Sequence, residues 1–161
     1  MKWLFWSATA LILYTNFGYP VWLWVRSLWR SRPLASATFT PLISVVMVVR
    51  NEERFLQRKL QNLFQLDYPS ELSQIVVVSD GSTDGTERIL REYERERRLT
   101  VLMKHLSLGK ASGLNDALSL AQGEIVVFTD ARHLLERNSV RLLMEDFADP
   151  AVGCVSGQLM L

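Results

Sequence analysis

Apolar residues fall along this chain in two ways: one long block at the N-terminus, then a series of short blocks that each end in polar residues. The short blocks are Leu42 to Val49, Ile75 to Val78, Leu99 to Met103 and Ile125 to Thr129, and within them apolarity is near-continuous rather than alternating. That pattern predicts strands covered on both faces, as in a parallel sheet. Between them apolar positions recur at helical spacing. Leu56, Leu60, Leu63 and Phe64 form one stripe; Leu114, Ala117, Leu118 and Ala121 a second; Val140, Leu143, Met144 and Phe147 a third. The charge-dense run from Glu87 to Arg98 predicts a solvated helix with i,i+4 pairs such as Glu87–Arg91 and Glu94–Arg98. Asn51, Asp84 (with Glu87 at capping-box spacing) and Asn138 or Ser139 are the candidate helix caps. Val152–Ser156 is a candidate fifth strand. The alternation predicts an α/β domain, a mainly parallel sheet with helices on both faces. In such sheets ligands bind outside the carboxyl ends of the strands.

The N-terminal block differs in kind. Trp3 to Val25 spans 23 residues without a charge. As a helix that is about 35 Å, against a hydrocarbon core of about 30 Å. All five tryptophans lie in the first 29 residues, Trp3 and Trp6 at one end and Trp22, Trp24 and Trp29 at the other, as in interfacial aromatic belts. The reading is one transmembrane helix and flank over residues 1–29, kinked near Pro20, a juxtamembrane linker over 30–41, and a folded domain over 42–161. Arg26, Arg30 and Arg32 against Lys2 place that domain on the cytoplasmic side. Ala35-Ser36-Ala37 loosely matches a signal-peptide processing site, but three arginines precede it and the apolar run is long for such a leader.

Charge and composition narrow the function. Four of the 18 basic residues stand in the first 40 positions, where there is no acid, so the rest of the chain holds 14 basic residues against 17 acidic ones. A net acidic domain argues against nucleic acid as a partner. The single cysteine, Cys154, excludes an intramolecular disulfide, fits a reducing compartment, and has the apolar neighbours of a core thiol. Arg50-Asn51-Glu52-Glu53 follows the first strand without a glycine, which excludes the dinucleotide fingerprint. Gly109-Lys110-Ala111 lacks the Ser or Thr of a Walker loop. There is no His/Cys pairing for zinc and no nucleophile elbow. What remains is acids at strand ends, Asp80 and Asp130. Asp80 can accept from a base N–H or ribose hydroxyls, or it can hold the Asp80-Gly81 turn.

The segments ISVVMVVRNEE, IVVVSDGSTDGT, GKASGLNDAL and GEIVVFTDAR resemble, in order and spacing, the successive motifs of family 2 glycosyltransferases, across roughly residues 42–157. These are inverting enzymes with a GT-A fold. The resemblance implies a GT-A-like donor half-domain over 42–161, incomplete as a transferase, of the membrane-anchored type found at the bacterial inner (plasma) membrane. It implies a nucleotide-sugar donor, most often a UDP-sugar, a glycan or lipid-linked acceptor, and a place in polysaccharide biosynthesis. Asp80 matches the acid that holds the nucleobase, Arg50 and Glu52 the first-loop residues beside the nucleoside, and Lys110 the basic residue of the third motif. Asp130 matches the first acid of an Asp-x-Asp motif, which with Mg2+ or Mn2+ holds the diphosphate. Two positions depart from the pattern. Ser79 stands where many members carry another Asp, and Arg132 where the second motif acid belongs. A guanidinium cannot ligate a hard cation. Either Arg132 neutralises the diphosphate itself, or it turns outward and Asp130 alone keeps a metal ion. No residue matches the family's catalytic base, which follows the donor half. The expectation is therefore a donor-binding half, inactive by itself. The alternative is a membrane-tethered nucleotide-binding or scaffold module without transferase activity.

Overall fold

Pro20 reshapes the N-terminal segment. A proline has no N–H to donate, and its ring excludes the carbonyl four residues back. In the computed structural model, which describes residues 2–30 and 37–158, the chain answers by widening to a π-helical stretch over Tyr14–Gly18, where the Tyr19 amide bonds the Tyr14 carbonyl. The Thr15 hydroxyl and the Asn16 amide turn back to the Leu11 and Ile12 carbonyls, both at 2.8 Å. Two α-helices flank the stretch, α1 (Lys2–Leu13) and α2 (Tyr19–Arg30), of 12 residues each. Each rises about 18 Å, short of a hydrocarbon core of about 30 Å. Among the described residues no helix is long and apolar enough to cross a membrane. This corrects the expected transmembrane helix over 1–29: the run is uncharged, but its α-helical hydrogen bonding is interrupted. Half of the expected linker over 30–41, and most of the Ala35-Ser36-Ala37 match, fall on residues 31–36, outside the described residues.

Met1–Leu34 and Ala35–Leu161 are separate compact units. In the second, strands β1 (Ile43–Val49), β2 (Ser73–Asp80), β3 (Leu99–Lys104) and β4 (Ile125–Phe128) form one parallel sheet in the order β3-β2-β1-β4. Helices α3 (Glu53–Phe64), α4 (Thr86–Glu92), α5 (Lys110–Leu120) and α6 (Ser139–Asp146) lie between or after them. Alternate residues of the strands feed two cores. Val45, Met47, Val49, Ile75 and Val77 pack with Leu56, Leu60, Leu63, Ile89, Leu90, Val140 and Met144. On the other face Val46, Val48, Val76 and Val78 pack with Ala117 of α5. Burial on both faces explains why the strands read as near-continuous apolar runs. Two glycines permit the close approach: a Cβ on Gly113 would meet the Val48 side chain at 2.7 Å, and one on Gly123 the Ser44 backbone nitrogen at 2.3 Å.

Some expected details differ. No strand forms over Val152–Ser156, and Cys154 is exposed rather than in the core. Helix α4 ends at Glu92, and its i,i+4 pair is Arg88–Glu92 at 2.7 Å. Arg98 instead reaches back to the Ser73 hydroxyl and the Phe64 carbonyl, with its guanidinium 5.4 Å from the Phe64 ring centroid.

Candidate functional site

The sheet order reverses at β1. The chain moves from β1 to β2 to β3 on one side, then returns to place β4 on the other. Such a reversal opens a crevice at the carboxyl ends of the two strands that flank it. Here those ends are Val49, followed by Arg50-Asn51-Glu52, and Phe128, followed by Thr129-Asp130-Ala131-Arg132.

The loop after β1 is tied to the loop after β2. Asn51 adopts φ 55°, a conformation that asparagine tolerates better than most residues. Its Oδ1 accepts the Thr83 amide at 2.8 Å. The Glu53 amide donates to Asp84 Oδ2 at 3.2 Å, and the Gly85 amide to Glu53 Oε2 at 3.1 Å. The expected caps are thereby redirected. Asn51 braces the second loop, Asp84 bonds the amides of Glu53 and Thr86, and Asn138 makes no side-chain cap bond.

Ala131 is buried in the core, so Asp130 and Arg132 leave the chain on either side of an anchored residue. Arg132 meets Glu52 across the crevice: Nε donates to Oε1 at 2.9 Å and to Oε2 at 3.2 Å, and Nη2 lies 2.9 Å from Oε1. The Arg132 side chain is 64% exposed and that of Glu52 13%. The guanidinium also lies 5.7 Å from the Phe55 ring centroid, within cation–π range. Lys110, at the start of α5, pairs with Asp130 Oδ2 at 3.2 Å, while Oδ1 accepts the Ala131 amide at 2.8 Å. Burial opposes ionisation of Asp130, but the Lys110 ammonium and the Ala131 amide outweigh it and hold the carboxyl below its usual range. Glu52, Lys110, Asp130 and Arg132 thus converge as two adjacent ion pairs. Arg50 is exposed beside them and joins neither.

Asp80 stands apart from these four. It is 2% exposed. Its carboxylate takes the Ser107 hydroxyl at 2.8 Å and the Leu108 and Gly109 amides at 2.9 Å, with Lys104 Nζ 3.8 Å away. The Leu108 amide leads the donors that hold its carboxyl below the usual range, against the effect of burial. Asp80 pins the loop that enters α5 and so places Lys110. Gly109 (φ 91°) makes the turn into the helix.

Two charged groups of the site were not anticipated from the sequence. Lys59 has no exposed surface. From α3 it donates to Thr129 Oγ1 at 2.7 Å and to the His133 carbonyl at 2.5 Å, beneath the Asp130 loop. Its signal was a lysine three residues after Leu56, inside the apolar stripe. Lys104 joins Asp116 Oδ2 at 2.6 Å and the Ser112 hydroxyl at 3.1 Å. Two cavities of the unit lie away from this edge, one of about 420 Å³ beside Asn62, Gln65 and Arg137, and one of about 630 Å³ near Gln74, at the amino ends of the strands.

Asp130 offers one carboxylate, already engaged by an ammonium and an amide, and a guanidinium follows two residues on. Among the described residues no three His, Cys, Asp or Glu side chains are grouped to hold a metal ion. Hard divalent cations need several oxygen ligands, so these side chains do not by themselves fit one.

The sequence model of Glycosyl transferase family 2 matches residues 44–161. The chain belongs to this family. A mannosyltransferase of Pyrobaculum calidifontis, in complex with GDP-Man and Mn2+, superposes with a TM-score of 0.74 at 35% identity, covering 93% of this chain and 47% of that one. S. aureus TarS (1–349) in complex with UDP-GlcNAc superposes at 0.58 and 30% identity, covering 62% of this chain and 29% of TarS. The poly-beta-1,6-N-acetyl-D-glucosamine synthase of Staphylococcus epidermidis is 29% identical over 116 residues, 71% of this chain and 28% of that protein. The beta-monoglucosyldiacylglycerol synthase of Nostoc sp. is 32% identical over 118 residues, 71% of this chain and 25% of that protein. The chain therefore spans less than a third of the length of these two curated relatives. The sheet and its flanking helices are GT-A-like, as expected from a family 2 glycosyltransferase.

Proposed function

We propose that this family 2 chain is the donor-binding part of an inverting glycosyltransferase that takes a nucleotide-sugar, with a UDP-sugar as first candidate, and serves a glycan or lipid-linked acceptor. The observation that carries the reading is the gathering of Glu52, Lys110, Asp130 and Arg132 at the strand-order reversal. A sugar diphosphate is a cluster of anionic acceptor oxygens, and an ammonium beside a guanidinium is the matching set of donors. The GDP-Man and UDP-GlcNAc held by the two similar structures support a donor of this class. In the proposed site the diphosphate lies against Lys110 and Arg132, the nucleoside beside Arg50 and Glu52, and the nucleobase toward Asp80. Asp80 is nearly buried and already takes three donors, so a base that bonds it directly uses the acceptor site left on Oδ1 or displaces the Ser107 hydroxyl.

In the transfer, the acceptor hydroxyl oxygen attacks the anomeric carbon opposite the diphosphate. The new C–O bond forms as the bond to the diphosphate oxygen breaks, and the carbon inverts. Negative charge collects on the leaving diphosphate, where cations fixed before the reaction lower the barrier. The hydroxyl proton passes to a general base, a role assigned to no residue of this chain. The chain binds donor without completing transfer.

Calorimetric titration of the purified chain with UDP and GDP tests the reading. One-site saturable binding of at least one nucleotide is expected, weakened roughly tenfold or more in Lys110→Ala. Absence of saturable binding for both overturns it.

A further inference from the structure

We infer that Lys110 and Arg132 hold the donor diphosphate without a divalent cation. The inference rests on the donor-binding reading above and concerns how that site balances charge.

Arg132 is fixed without being used up. Glu52 occupies its Nε–Nη2 edge, and Phe55 lies within cation–π distance. Among the described residues Nη1 makes no hydrogen bond, so a second edge of the fork remains for phosphate oxygens. Lys110 spends one of its three donors on Asp130 and keeps the others. Neither cation has to leave its carboxylate for a diphosphate to bind. Glu52 is then a positioning residue: it aims the guanidinium, and its own limited exposure keeps it from meeting the ligand face on.

The charge count leads to the same conclusion. The group holds two cations and two carboxylates and is formally neutral. A diphosphate entering it meets two cations already in place. An acid at position 132 would leave one cation against three carboxylates, a formal −2 that repels phosphate until a divalent ion cancels it. Arg132 makes that ion unnecessary, in accord with a donor set that does not fit one. Lys59 lies beneath the same loop and adds no negative charge.

The test compares UDP affinity of the full chain in EDTA and in Mn2+. For the natural chain the two values should agree within about threefold. Arg132→Asp should lose roughly tenfold or more in EDTA and regain affinity when Mn2+ is added. Arg132→Gln, which removes the cation without adding a carboxylate, should lose affinity in both buffers and gain nothing from Mn2+. Position 132 is exposed, and circular dichroism confirms that each variant is folded. UDP binding by the natural chain that appears only with Mn2+ overturns the inference while leaving the donor-binding reading intact. Absence of UDP and GDP binding in both buffers overturns the reading and the inference with it.

Discussion

Asp80 shows how one residue can order a loop it does not belong to. Its partners lie 27 to 29 residues further on, at Ser107, Leu108 and Gly109. Removing the carboxylate strips those donors of their acceptor. Asp80→Ala should cost about 1–3 kcal/mol in urea unfolding, and the Leu108 and Gly109 amides should lose hydrogen-exchange protection. The pH dependence has a definite sign. The folded carboxyl titrates below its unfolded value, so its contribution is complete above an unfolded pKa near 3.9 and fades as pH falls through the folded value. The stability gap between the natural chain and Asp80→Ala should therefore narrow below about pH 4. Sequence made Asp80 legible as a strand-end acid and left two roles open for it. Its loop partners were not legible, because Ser107-Leu108-Gly109 has no periodicity to mark it as part of any element. Glu52 and Arg132 were both legible as candidates; their bond to each other, across 80 residues, was not.

Among the elements, α3 couples the core to the site. Its buried face carries Leu56, Lys59, Leu60 and Leu63. Burial pushes the Lys59 ammonium down to about 8, partly offset by attraction to Asp130. Between about pH 8 and the ordinary lysine value near 10.4, the unfolded chain holds a proton that the folded one has released. Stability should rise with pH across that window by up to about 1.4 kcal/mol per pH unit. The rise should vanish in Lys59→Met, as read by urea midpoints over a pH series. Strands were the most legible elements, since burial on both faces writes itself as unbroken apolar runs. Their ends were less so: β2 begins at Ser73 and stops at Asp80, polar residues that join the ladder through backbone bonds alone. The charge run after Glu87 suggested a longer helix than α4, because propensity could not register that Arg98 is drawn to Ser73 and Phe64. Val152–Ser156 has strand composition but gains no ladder partner, and Cys154 is left exposed with it. In the N-terminal run hydropathy was legible, whereas the π-helical stretch ahead of Pro20 has no apolar pattern to mark it.

At the scale of the molecule, both cores draw their buried residues from Ile43 to Met144. Among the described residues none comes from α1 or α2, whose described side chains leave Trp3, Phe5, Trp6, Phe17 and Trp24 exposed. A chain lacking residues 1–34 should therefore unfold in urea with a stability within about 0.5 kcal/mol of the full chain. A loss of cooperativity would show that the first unit contributes to the fold of the second. The order of the strands also has a kinetic consequence. β1 pairs with β2 soon after it in the chain, and β2 with β3, so that side of the sheet can zip as the polypeptide emerges. The other edge of β1 stays bare until Phe128 has been made and β4 returns to it. Only then do the residues on either side of the crevice meet. Closing so long a loop costs entropy, so the charged crevice matures after the β1-β2-β3 side of the sheet. A nascent chain can thus pair the valines of β1 and β2 while still unable to present a site for any ligand.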